Sequence, residues 1–83
     1  MTANEAYLKI ISERPGIKAI NCFEYASLFV FTVVTENTKI KDHNKLIDRM
    51  RSVNKITGEI RDFKPFHISI DEYREGKEIA NYK

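Results

Sequence analysis

The chain has 83 residues, of which 42% are hydrophobic and 31% charged, and a formal net charge of +2. That length suits one domain with a small core, and the apolar content excludes a disordered chain. A surplus of +2 is too weak to imply a nucleic-acid or membrane partner by itself.

The first element reads as a helix. Thr2 and Glu5 have the spacing of a capping box, in which each side chain accepts from the other's backbone N–H. Ala3, Tyr7, Ile10 and Ile11 fall on one helical face, and Pro15 with Gly16 ends the pattern. The plain meaning of that stripe is core packing.

Two strands follow. Ile17 to Tyr25 alternates imperfectly, Ala26 and Ser27 make a short turn, and Leu28 to Val34 is the most apolar run of the chain. The second strand is β-branched and aromatic on both faces, as a central strand requires. The short turn predicts an antiparallel hairpin. Glu36 to Lys45 is polar without periodicity and reads as a loop. Leu46, Ile47 and Met50 form one helical turn or begin a third strand, placed here from Asp48 to Val53.

Asn54 to Gly58 then reads as a tight turn, with Asn54 bonding its own backbone two residues on and Gly58 at positive φ. A fourth strand runs from Glu59 to Phe63, and Lys64-Pro65 stops the ladder because proline has no donor. Ser69 and Glu72 repeat the capping-box spacing and open a short helix with Ile70 and Tyr73 as its apolar contacts. Gly76 is its expected stop, and residues from Glu78 to Lys83 are expected to fray. The expected fold is a single α+β domain over 1–83: an N-terminal helix packed on an antiparallel sheet of about four strands, then a short C-terminal helix.

Chemistry is sparse. Three glycines far apart make no phosphate-cradling loop, and the two histidines, His43 and His67, are distant in sequence and form no metal pair. Cys22 is the single cysteine, which excludes an intramolecular disulfide and fits a reducing compartment. Cys22 and His67 are the one candidate nucleophile–base pair, but no cation near Cys22 in sequence favours a thiolate, so an inert buried thiol is the simpler reading. His67 precedes Asp71 by four residues, which suggests a local ion pair or a helix-entry contact. Neither a signal peptide nor a helical membrane span is visible, and the chain reads as cytoplasmic. No enzyme activity and no cofactor are expected.

Two features bear on partners. Residues 36–64 carry eight basic and five acidic side chains. Arg49 and Arg51 share a face if they lie on one strand, and Arg61 could join them from the next strand. A basic sheet face beside an aromatic ring has the composition of a single-strand platform, but Asp48, Glu59 and Asp62 dilute it. The second feature is Phe63-Lys64-Pro65-Phe66, where two rings flank Lys-Pro. Both rings plug the edge of the core, or one is an exposed anchor for a protein partner.

The hairpin Val53 to Ile60, preceded by a helix and two strands, resembles the hydrophobic–Asp/Asn–x–x–Thr–Gly–Glu–hydrophobic hairpin of PepSY-type small domains. That resemblance implies an α+β fold and a binding or inhibitory role. The chain departs from it at Glu36 to Lys45, in the appended stretch from Pro65 to Gly76, and in lacking a secretion signal. In size and in the phrase from Ser52 to Phe66 it also resembles small prophage and mobile-element proteins. The preferred expectation is a non-enzymatic protein-binding or inhibitory module contacting its partner through Phe63 and Phe66. The alternative is weak nucleic-acid binding through Arg49, Arg51 and Arg61. A sheet edge offers a route to homo-oligomers.

Overall fold

A computed structural model describes residues 1–13, 15–35 and 50–83. Its helix α1 spans Ala3–Glu13, and its capping box is closed in both directions. The Glu5 N–H donates to Thr2 Oγ1 at 3.1 Å, and the Thr2 N–H donates to Glu5 Oε1 at 2.8 Å. Those bonds satisfy backbone donors that a helix start leaves orphaned and hold the Glu5 carboxyl below its usual range.

Strands β1 (Ile17–Glu24), β2 (Leu28–Thr35), β3 (Met50–Asn54), β4 (Ile60–Asp62) and β5 (Lys77–Glu78) form one antiparallel sheet in the order β4-β3-β2-β1-β5. The short helix α2 (Ile70–Arg74) precedes β5. The expected α+β fold is therefore present, with a fifth strand in place of four. The third strand starts at Met50, so the part assigned to Asp48 and Arg49 lies outside the described residues, as do Glu36 to Lys45, Leu46 and Ile47.

The register explains the burial. Phe31 stands opposite Cys22 on β1 and Arg51 on β3, while Val30 stands opposite Phe23 and Ser52. Adjacent residues point to opposite faces, and both Val30 and Phe31 are buried because both faces are covered. On the α1 face, Ala6 and Ile10 pack with Ala19, Cys22, Phe29, Phe31, Val33 and Val53. On the other face, Val30 packs with Tyr25 and Phe63, flanked by Phe23, Leu28, Met50 and Ile68. The imperfect alternation of β1 has a cause: its pairing slips between Ala19 and Asn21, a bulge that leaves Ile20 without an opposite residue.

The C-terminus corrects the expectation of fraying. The Ile79 N–H donates to Cys22 O at 2.8 Å, extending the pairing of β5 with β1. Tyr82 is only 5% exposed and meets the rings of Tyr7 and Phe31 edge-on at 5.4 and 5.6 Å. Its hydroxyl donates to Ala19 O at 3.1 Å, beside the bulge, and its carbonyl accepts from Asn4 Nδ2 at 3.0 Å. A tail is ordered when it buries an apolar ring and satisfies the ring's polar end. Tyr82 does both, and that pairing is invisible without the fold.

Candidate interaction surface

The segment after β4 crosses the face opposite α1. The Phe63 N–H donates to Met50 O at 2.8 Å and fixes the chain as it leaves the sheet. Pro65–His67 form one 3-10 turn, and Ser69 caps α2 by accepting from the Glu72 N–H at 3.1 Å. The second half of the expected capping box goes elsewhere. Glu72 Oε2 accepts from the Ser27 N–H at 2.8 Å and from the Ser27 hydroxyl at 2.6 Å, tying α2 to the β1–β2 turn. A carboxylate answering two donors on another element does more for a five-residue helix than one local bond, because such a helix persists only when docked.

Aromatic packing completes the docking. The Tyr25 ring lies nearly parallel to Phe63 at 6.0 Å and to Tyr73 at 5.8 Å. Gly76 passes so close to Tyr25 that any Cβ there would overlap the ring. Gly76 does follow the C-cap Glu75, as expected, but its φ is not positive. Close approach, not a left-handed cap, is what calls for glycine.

The two phenylalanines separate. Phe63 is 5% exposed and belongs to the core, so it is not a surface anchor. Phe66 is 78% exposed. Ile70 and Tyr73 follow at 70% and 48%, so residues 66–73 hold three large apolar side chains in solvent. Single exposed apolar residues are normal on soluble surfaces, and three on one short segment make it the candidate for a contact surface. The sequence pointed to Phe66 and assigned Ile70 and Tyr73 as apolar contacts of the short helix. Tyr73 does stack on Tyr25 while keeping about half its surface in solvent, whereas Ile70 is left exposed. The apolar content of 66–73 was the signal that could have found them.

A groove of about 380 Å³ runs beside this segment, between the β3–β4 hairpin and α2. Ser52, Asn54, Glu59 and Arg61 line one side, and His67 and Glu72 the other. Its charged groups are engaged: Arg61 Nη2 lies 2.8 Å from Glu59 Oε1, and Glu72 holds Ser27. His67 Nδ1 accepts from the Lys64 N–H at 3.3 Å, and no ion pair joins His67 to Asp71 among the described residues. Its hydrogen bonds and ring contacts among the described residues go to Lys64, Phe63 and Phe66, ahead of the Ser69 cap, so its role lies in the 3-10 turn and not at the entry to α2.

The arginines do not assemble into one face. Arg51 stands opposite Asp62, while Arg61 stands opposite Ser52, so the two guanidiniums point to opposite sides of the sheet. Arg51 is clamped at 2.7 Å by Asp62 and at 2.7 Å by Glu13 of α1, and the Asp62 hydrogen bond is the larger cause of its raised pKa. Arg49 lies outside the described residues. Cys22 and His67 do not meet either: Cys22 is in the α1-side core, and His67 rests against Phe63 on the other side. Burial, aided by Glu24, pushes the Cys22 thiol up to about 12. That is the opposite of what a thiolate nucleophile needs.

Fold and surface thus define a small α+β domain that turns an aromatic segment outward from its second face. No family model, curated protein or solved structure matches the chain.

Proposed function

We propose that the chain is a non-enzymatic protein-binding module whose contact surface is the segment carrying Phe66, Ile70 and Tyr73. The supporting observation is Phe66, a phenylalanine 78% exposed on a turn that the rest of the chain holds in place. An exposed aromatic on a fixed backbone loses little conformational entropy when a partner's apolar pocket closes on it. The charged side chains of Lys64, Asp71 and Arg74 are also exposed and supply the polar rim such a contact has. An inhibitory role is one use of this surface, by occupation of a partner's apolar cleft.

The test is capture by the immobilised chain against a Phe66→Ser, Ile70→Ser variant. Loss of the captured protein, with folding stability unchanged within about 0.5 kcal/mol, is the expected result. Equal capture by wild type and variant would move the contact surface elsewhere.

A further inference from the structure

We propose that His67 is a proton-sensitive latch on the turn that presents Phe66. Residues 64–67 are closed by two reciprocal bonds. The His67 N–H donates to Lys64 O at 2.9 Å, and the Lys64 N–H donates to His67 Nδ1 at 3.3 Å. The second bond exists only while the imidazole is neutral with its proton on Nε2. A protonated ring is a donor at both nitrogens and cannot accept. Histidine is the side chain whose ordinary titration falls in the physiological range.

The ring that closes the turn also braces the exposed phenylalanine. His67 meets Phe66 edge-on at 4.8 Å and 85°, and meets the buried Phe63 at 6.2 Å and 89°. Phe63 is held by its backbone bond to Met50 and by the Tyr25 ring, so a displaced imidazole disturbs Phe66 and leaves Phe63 in place.

The charges facing His67 give the displaced ring a destination. Glu59 and Arg61 of the hairpin and Glu72 of α2 line the same groove as the imidazole, and Lys64 belongs to its own turn. Arg61 and Lys64 oppose a second positive charge. Glu59 and Glu72 favour one, each bound through a single carboxylate oxygen, Oε1 to Arg61 and Oε2 to Ser27. A protonated His67 that leaves the Lys64 N–H turns into the groove towards these carboxylates. The latch has two states: ring on the turn when neutral, ring in the groove when charged. This goes beyond the partner-binding proposal, and only its consequence for a partner rests on that reading.

The experiment is NMR on the full chain between about pH 8 and about pH 5. The protection factor of the Lys64 amide is expected to fall about fivefold on acidification, the loss of one net hydrogen bond. The cross-relaxation between the His67 and Phe66 rings should weaken over the same range. In His67→Asn, whose Oδ1 can accept at any pH, the Lys64 protection should stay constant. His67→Leu should show the low protection throughout. An unchanged Lys64 amide while the His67 ring protons titrate would overturn the latch, and so would an equal loss in His67→Asn. Neither readout needs a partner, so failure here is separate from failure of the binding proposal.

Discussion

Phe31 has no exposed surface and lies at the centre of the α1-side core, tilted against Tyr7 at 6.2 Å and edge-on to Tyr82. Its removal leaves a cavity that strands on both sides keep from collapsing. Phe31→Ala should therefore cost about 3–5 kcal/mol in urea unfolding, and a loss near zero would contradict its central place. Cys22, its neighbour across the β1–β2 ladder, makes a pH prediction. Its folded thiol titrates at about 12, against an ordinary 9.0, so the fold favours the neutral form. Below 9.0 the contribution is complete, and between 9.0 and about 12 the unfolded chain ionises while the folded one does not. Stability should thus fall as pH rises through that window. Burial raises Tyr25 and Tyr82 in the same direction. Unfolding curves at stepped alkaline pH should be less steep in pH for Cys22→Ala, and an identical slope would clear Cys22 of the effect.

At the scale of elements, the C-terminal tail decides more than its length suggests. β5 has two residues, too few to hold a tail by ladder bonds. The hold comes from Tyr82, lodged between α1 and the sheet. Tyr82→Phe removes one hydrogen bond and leaves the Ala19 carbonyl at the bulge without that donor, a cost of about 1–3 kcal/mol. Tyr82→Ala removes the ring as well and should cost about 3–5 kcal/mol. Denaturation of both variants gives the comparison, and equal stability for wild type and Tyr82→Ala would restore the frayed tail. The β3–β4 turn is ruled by local chemistry instead. Asn54 Oδ1 accepts from the N–H groups of Ile56 and Thr57 at 2.8 and 2.9 Å, and Gly58 sits at φ 73°.

For the whole molecule, the distribution of charge bears on partners. Among the described residues, Arg51 is bound to two carboxylates, Lys55 to Glu24 at 2.8 Å and Arg61 to Glu59. Counterion release needs several cations free to neutralise phosphates. Arg51 and Arg61 lie on opposite faces of the sheet and acidic residues are interspersed among the basic ones of 36–64, so no measurable oligonucleotide binding at physiological salt is expected by fluorescence anisotropy. Tight, salt-sensitive binding lost on Arg49→Ala plus Arg51→Ala, yet kept by Phe66→Ala, would reverse the order of the two functional readings. The outermost strands β4 and β5 have three and two residues, so a second copy adding to either would gain a short ladder. Among the described residues, no helix is long and apolar enough to cross a membrane.

The sequence alone determined what depends on neighbours along the chain. The capping box of Thr2 and Glu5, the turn at Asn54 and Gly58, the cap at Ser69 and the two-faced apolarity of β2 are short-range patterns. Their physics is complete within a few residues. Tertiary structure decided whatever joins distant segments. Glu72 has capping-box spacing, yet its carboxylate goes to Ser27, because two donors on a neighbouring turn outweigh one nearby backbone N–H. Phe63 and Phe66 are the same residue type three positions apart, and only the path of the chain over Tyr25 makes one core and the other surface. Arg51 and Arg61 part for a similar reason: register, which period-two alternation converts into opposite faces, is set by pairing across the hairpin and not by composition. Tyr82 is the widest case, since its site is built from α1 and β1, more than sixty positions earlier in the chain.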